Sequence, residues 1–595
     1  MNNNRVGLKE ILSNFKQKII NQFQGERRRK TIVLLSIILS ATLVSILSFV
    51  LLDTRVSIRI YNDKLIDNYG SIEGNNADIA RWEINPLCIA SDEFAASQQP
   101  RGLQFWEYIN ETSRNVFKYA RLHNVFTSSE GDRRGAANAG GDVVIDNGDG
   151  TYSYDWTILD NLYDNLISCN ITPLVELGFM PIALSSQPND EPERRIPEKW
   201  QDWRDLVSNF TQHLIDRYSV EKIRTWRFEV WNEPDAGSFW SDGIDAYCML
   251  YNETVSVIKD INVNIIVGGP GIANDMGEFE DFLEYCSINE IPIDFISFHT
   301  KGSDGVQLHP SHEHLVNRIE SYFKIMKQFP EFDQNQNPDI EYICTEADPI
   351  VGSHKNKYDR PKFAFRDHEY YSAWFSHTLI NLVELQIQYN YTLHGLFSHN
   401  ILFPWETQTF YGTRGFLTPL FLQGTPIPSE IPEDIPLTEC NAVVGKPIHT
   451  VAQLISRIPF GQSFILRTET TGLSANRGLI KTLAYNCTDG KLRILISHHN
   501  EIKTAFRDRY VDISFETAKS GVDVTEYIIN RQNNNAFRAW ESMGSPDYVT
   551  NEQISSLQET ASLSTTNSFY VQASDGLIQM SIKIQEYTTI LLEIQ

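Results

Sequence analysis

Residues 228–235 read FEVWNEPD: an apolar run carrying Phe228, Val230 and Trp231 stops at Asn232 and Glu233 and is closed by Pro234. Strands buried on both faces show consecutive apolar residues rather than strict alternation. The stretch therefore reads as a buried strand that presents an amide and a carboxylate at its C-terminal end. Pro234 fits that reading, since proline biases the preceding residue toward extended geometry and starts a turn. A single glutamate at a strand end is more often a solvated loop residue. Its meaning depends on what surrounds it.

Working outward, seven more runs of the same texture flank it. ARWEINPLCIA (80–90), VFKYARLHNVF (116–126) and ITPLVELGFM (171–180) precede it; NIIVGG (264–269), IDFISFHT (293–300), IEYICTEA (340–347) and HGLFSHNI (394–401) follow. Segments of helical period lie between them, among them TILDNLYDNLIS (157–168), WRDLVSNFTQHLIDRY (203–218) and SAWFSHTLINLVELQ (372–386). Eight strands alternating with helices predict an α/β fold, a (β/α)8 TIM barrel over residues 80–458. KPIHTVAQLISRI (446–458), after the proline-rich 425–436, reads as its last helix. From 459 to 595 short β-rich runs separated by turns predict a C-terminal antiparallel β-sandwich domain, with NRQNNNAF (530–537) as a small polar loop. In the lead-in 53–79, RVSIRIYN (55–62) is a strand able to join that sandwich.

Residues 31–52, TIVLLSIILSATLVSILSFVLL, carry no charge and follow Arg27, Arg28, Arg29 and Lys30. Length and flanking charge predict a transmembrane signal-anchor, with residues 1–30 as a cytoplasmic tail. The expectation is a single-pass type II membrane protein of the secretory or endolysosomal pathway, its folded part lumenal or extracellular. The formal net charge of −25 argues against nucleic acid as a partner. Seven scattered cysteines form no C-x-x-C pair, which removes the usual zinc and redox motifs. LHPSHEH (308–314) is not H-E-x-x-H, and DNGDGTY (146–152) lacks the ligand spacing of a calcium loop and reads as a tight turn. Neither a metal nor a cofactor is expected.

Active groups of a TIM barrel come from the C-terminal ends of its strands. Glu233 ends the fourth run and Glu346 the seventh, so both face one mouth. Two carboxyl groups flanking a glycosidic bond are what acid/base glycoside hydrolysis requires: one protonates the leaving oxygen while the other attacks the anomeric carbon in a retaining enzyme.

WNEPD (231–235) and TEADPIVGS (345–353), with YDWTILDNLYDNL (154–166), DFISFHTKG (294–302), TRGFLT (413–418) and KPIHT (446–450), resemble glycoside hydrolase family 39 across most of residues 80–460. The resemblance is closer to the α-L-iduronidases than to the β-xylosidases. It implies a retaining exo-glycosidase acting on terminal α-L-iduronosyl or related uronosyl linkages of glycosaminoglycan-like glycans. Glu233 would be the acid/base and Glu346 the nucleophile. Asn232 would contact the sugar and His123 would line the donor subsite. Lys301, Arg414 and main-chain N–H near Gly352 would face the uronate carboxylate. Asn400 stands where iduronidases carry Asp, and Ser353 where the animal enzymes have Trp; the animal enzymes' additional fibronectin-like domain is expected to be absent. Taken alone, His123 and His299 both read as satisfied core or loop histidines. A family 39 β-xylosidase-like hydrolase is the alternative, and a catalytically silent carbohydrate-binding protein on the same scaffold is the third reading.

Overall fold

The computed structural model describes residues 55–64, 88–90, 100–114, 116–123, 125–127, 143–303, 310–350, 357–358, 361–398, 402, 406, 408–423, 441–459, 463–501 and 508–595. Eight strands pair in sequential order, all parallel: β1 (Cys88–Ala90), β2 (Tyr119–His123), β3 (Thr172–Leu177), β4 (Arg227–Val230), β5 (Ile266–Ile272), β6 (Phe295–Lys301), β7 (Glu341–Asp348) and β8 (Leu393–Leu396). A helix follows each: α1 (Pro100–Tyr108), α2 (Thr157–Ser168), α3 (Trp200–Tyr218), α4 (Ile244–Ile261), α5 (Met276–Ile288), α6 (His312–Met326), α7 (Glu369–Tyr389) and α8 (Pro447–Ile455). This is the (β/α)8 barrel fold. Helix α3 shows why the period matters: Trp203, Leu206, Val207, Phe210 and Leu214 are buried along one stripe, and polar residues face outward.

The second sheet differs from the antiparallel sandwich expected. Its strands are β9 (Ser463–Thr471), β10 (Ile480–Cys487), β11 (Leu492–His498), β12 (Arg509–Glu516), β13 (Gly521–Ile529), β14 (Asn567–Gln572), β15 (Leu577–Ile584) and β16 (Thr588–Ile594). The leading strand Arg55–Lys64 inserts between β9 and β12, giving one nine-stranded sheet in the order β14-β13-β16-β11-β10-β9-leading strand-β12-β15. It runs antiparallel to β9 and parallel to β12. Because β9 and β12 point opposite ways, a strand between them must be parallel to one.

Period-2 alternation then assigns the two faces. Ile494, Ile496, Ile590, Leu592 and Ile594 enter the sheet's own core, together with Val56, Ile58 and Ile60 of the leading strand. Leu495, Leu591, Tyr527 and Ile529 point the other way and join the barrel core. Helix α7 lies against this second face and is buried on nearly every side, as a helix apolar all round should be. Its Ser376 Oγ is 2.6 Å from Thr589 Oγ1 and 3.1 Å from Ser497 Oγ.

Besides the single turn Leu473–Asn476, two longer helices within the sheet domain, α9 (Ala536–Ser542) and α10 (Asn551–Ala561), were not expected. The start of α9 falls in the segment read as a polar loop, where Asn535 caps it by accepting from Arg538 N–H. Thr550 and Gln553 form a reciprocal capping box at α10. Residues 146–152 do form a tight hairpin turn, with Gly148 and Gly150 at positive φ.

The localisation reading is corrected. Among the described residues no helix is long and apolar enough to cross a membrane, so no spanning helix supports a single-pass type II membrane protein. The segment 31–52 and the tail 1–30 lie outside the described residues.

Three buried histidines give the fold a pH dependence. Burial, with His312 second, pushes His377 and His499 well below the usual imidazole value; burial pushes His449 down to about 3. Such groups stay neutral in the fold while the unfolded chain takes up protons. Their stabilising contribution is therefore complete above about pH 6.5 and is lost below it, by about 1.4 kcal/mol per pH unit for each imidazole. Calorimetry is expected to show Tm falling between pH 7 and 5, with a shallower fall in His377→Phe.

Candidate active site

The β4 strand ends at Val230, and the chain then turns sharply: Trp231 has φ 70° and Glu233 φ 45°. The extended geometry expected at Glu233 from Pro234 is thus overruled. The loop is clamped to the end of β5, where Glu233 N–H donates to Gly271 O at 3.1 Å. Asp235 fixes the same junction by accepting from the N–H groups of Ala273, Asn274 and Asp275 at 2.9, 2.7 and 2.9 Å. Non-glycine residues at positive φ persist only where surroundings over-determine them, and they cluster at functional sites.

On β7 a bulge does the aiming. Cys344 pairs with Phe298, whereas Glu346 pairs with His299 and Asp348 with Lys301, so Thr345 is the extra residue. Glu346 and Asp348 are thereby set beside His299 and Lys301 of β6.

The groups converge. His299 Nδ1 lies 2.8 Å from Glu233 Oε1 and 3.9 Å from Glu346 Oε2. Lys301 Nζ donates to Glu346 Oε2 at 2.5 Å and to Asp348 Oδ2 at 2.7 Å. Arg414 Nη1 reaches the same Asp348 oxygen at 2.7 Å, and Ser398 Oγ donates to Asp348 Oδ1 at 3.1 Å. Burial alone would lower the Lys301 pKa, but Asp348 and Glu346 outweigh it and hold it above the usual lysine value.

Beneath them Arg121, fully buried, spreads its fork over three acceptors and stands close to a fourth. Nε donates to Glu229 Oε2 at 2.6 Å, Nη2 reaches Glu176 Oε2 at 2.7 Å and Asn232 Oδ1 at 2.8 Å, and Nη1 stands 3.7 Å from Glu346 Oε1. Thr345 Oγ1 donates to the other Glu229 oxygen at 3.0 Å. Arg121 therefore fixes the amide of Asn232 with its oxygen inward. The Asn232 Nδ2 donor is left buried without a partner among the described residues.

One oxygen each of Glu233 and Glu346 and one ring nitrogen of His299 lie within 4.8 Å of one another. That spacing suits a bridging divalent ion, but the Lys301 ammonium already places a fixed cation on Glu346. It also suits two carboxyl groups acting on opposite sides of one bond. The surroundings differ: Glu346 contacts the Lys301 ammonium and stands near the Arg121 guanidinium, while the contact given for Glu233 is with the His299 imidazole.

Of the residues singled out from sequence, Asn232, Glu233, Lys301, Glu346 and Arg414 are brought together. His123 ends β2, pairing with Ala90, and nothing is described of its side chain. Gly352, Ser353 and Asn400 lie outside the described residues. Sequence reasoning passed over Arg121, Glu176, Glu229 and Asp348, and took His299 for a core or loop histidine. A signal was present: Glu229 within RFEV, Glu176 within TPLVEL and Arg121 within YARLH are charges flanked on both sides by apolar residues.

Comparison with known proteins agrees with this arrangement. The model for glycosyl hydrolases family 39 matches residues 115–573. A β-xylosidase from Geobacillus stearothermophilus is 25% identical over 533 residues, spanning 86% of this chain and 92% of its own. The human α-L-iduronidase is 27% identical over 214 residues, 34% of this chain and 30% of its own. The solved structure of a bacterial orthologue of human α-L-iduronidase superposes with a TM-score of 0.69 at 18% identity, covering 91% of this chain and 84% of that one. A family model matching well over half of the chain, on the barrel whose fourth and seventh strands carry the two carboxylates, places this protein among the glycoside hydrolases of family 39.

Proposed function

We propose that the protein is a retaining exo-glycosidase in which Glu346 is the nucleophile and Glu233 the acid/base, acting on terminal uronosyl linkages of the α-L-iduronosyl kind. The observation that carries the reaction is the pair of carboxyl oxygens within 4.8 Å in unlike surroundings. Retaining enzymes hold the two carboxyl groups about 5–5.5 Å apart, and inverting ones leave about 6.5–9.5 Å for a water. In the first step Glu346 attacks the anomeric carbon while Glu233 gives its proton to the leaving oxygen. In the second, Glu233 takes a proton from water, which displaces Glu346. His299 Nδ1 stands 2.8 Å from Glu233 Oε1; in the tautomer with Nδ1 protonated it donates there and leaves Oε2 to carry the transferable proton. Asn232 offers its unspent N–H to a sugar hydroxyl next to the bond being cut.

For the sugar, the unspent cationic donors favour a uronate. Lys301 and Arg414 stand on Glu346 and Asp348, and Arg366 lies within electrostatic reach of Arg414 and Asp348. Arg366 is pushed down to about 9 by burial, then by Arg414, and remains cationic at neutral pH. Among the described residues Lys301 has used two of its three donors, and Arg414 keeps a buried Nε without a partner. A carboxylate would use these groups; a neutral pentose would not. The β-xylosidase reading stands second, carried by the match of nearly whole length to the Geobacillus enzyme.

The test is a panel of fluorogenic α-L-iduronide, β-D-glucuronide and β-D-xyloside substrates. A uronide is expected to be turned over fastest, and faster turnover of the xyloside would sink the substrate assignment. In Arg414→Gln, KM for the uronide is expected to rise by about 10- to 100-fold, the worth of one charge-assisted hydrogen bond, with a much smaller rise for xyloside.

A further inference from the structure

The β6–α6 connection begins one residue after Lys301 and ends at Ser311. Its two ends are tied together, because Ser311 N–H donates to Gly302 O at 2.8 Å. The tie is fastened to β7, where Gly302 N–H donates to Asp348 O at 2.8 Å. The packing is tight: a Cβ on Gly302 would stand 2.4 Å from Pro349 O and 3.1 Å from Ser311 O. Three chain segments thus meet immediately beside the Lys301–Glu346–Asp348 contact.

What holds the far side of this junction comes from the sheet domain. Glu501, just beyond β11, accepts from His312 N–H at 2.8 Å and lies 2.7 Å from His312 Nδ1. His312 is the first residue of α6, whose free N–H groups and positive end favour a carboxylate there. The imidazole is itself packed between two rings, His377 of α7 at 4.6 Å and His499 at 6.1 Å between centroids. The helix start therefore has little freedom to move without Glu501 moving too.

Resting on the active-site reading above, we propose that Glu501 is a positioning residue for catalysis: through His312, Ser311 and Gly302 it sets the place of Lys301 against the nucleophile Glu346. The sheet domain is then part of the catalytic unit. The route is one side-chain contact and two backbone hydrogen bonds long. Displacements of about 1 Å at a reacting group cost up to about 100-fold in rate, so loosening this route should show in kcat.

The experiment compares Glu501→Ala, which removes the acceptor, with Glu501→Gln, which keeps an oxygen for His312 N–H. Ser376→Val serves as a control that weakens the barrel–sheet contact elsewhere. Steady-state kinetics on the best aryl glycoside are measured per active site, counted with a mechanism-based 2-fluoro glycoside, so that loss of folded protein does not enter. The expected result is a kcat about 10-fold lower in Glu501→Ala with KM within about twofold, near wild-type kcat in Glu501→Gln, and unchanged kcat in Ser376→Val. A Glu501→Ala enzyme with wild-type kcat per site would overturn the proposal. A wild-type protein inert on every glycoside would instead overturn the function on which it rests.

Discussion

Glu346→Gln is expected to lower kcat on aryl glycosides by roughly 10⁴-fold or more, because an amide cannot form the glycosyl ester on which double displacement depends. Binding should survive. Gln keeps an oxygen for the Lys301 ammonium, which in the wild type stands 2.5 Å from Glu346 Oε2, and the volume is nearly the same. Isothermal titration with a non-hydrolysed sugar should therefore give a Kd within a few-fold of wild type. This combination separates the enzyme from a silent carbohydrate-binding protein, in which neither substitution nor wild type would hydrolyse anything. Glu233→Gln should behave differently. It removes the proton donor, so substrates with poor leaving groups should lose about 10²–10⁴-fold while activated aryl glycosides lose less in the first step.

The second large effect is expected from Arg121→Met. Arg121 is in direct contact with both Glu176 and Glu229, all three side chains being fully buried. Removing one partner of a buried ionic cluster leaves uncompensated charge and costs about 3–5 kcal/mol. A clear fall in Tm by calorimetry is the expected outcome. Activity should fall further than the folded fraction does, since Asn232 loses the contact that orients its amide and Glu346 loses the guanidinium 3.7 Å away. Arg121→Lys should recover only part of both, because an ammonium cannot reproduce a fork spread over Glu229, Glu176 and Asn232. A variant as stable and as active as wild type would show that the cluster beneath the site is not what holds it.

The barrel was legible because its signals are local. Consecutive apolar runs at strands such as IVGGPGI and helical stripes such as Trp203, Leu206 and Phe210 can be read without knowing their neighbours. Glu233 and Glu346 were legible for a related reason: each stands near the C-terminal end of a strand, just past β4 and just inside the end of β7, and the fold turns all strand ends to one mouth. Arg121, His299 and Asp348 were not, since their roles depend on which side chains a neighbouring strand brings opposite. The pairing of Glu346 with His299 and of Asp348 with Lys301 depends on the bulge at Thr345, and no residue near it announces a one-residue shift. The parallel insertion of Arg55–Lys64 is likewise a non-local fact, set by the opposite directions of β9 and β12. The α10 helix is a different case. The capping box formed by Thr550 and Gln553 could have been found in sequence.

The central claim is that Glu346 forms the covalent intermediate and Glu233 serves it as acid/base. The most direct measurement is peptide mapping by mass spectrometry after inactivation with a 2-deoxy-2-fluoro glycoside of the preferred sugar. The account predicts a single fluoroglycosyl adduct on the peptide containing TEADP, at Glu346, formed without any label on WNEPD. An adduct at Glu233, or full inactivation with no covalent sugar at all, would contradict it.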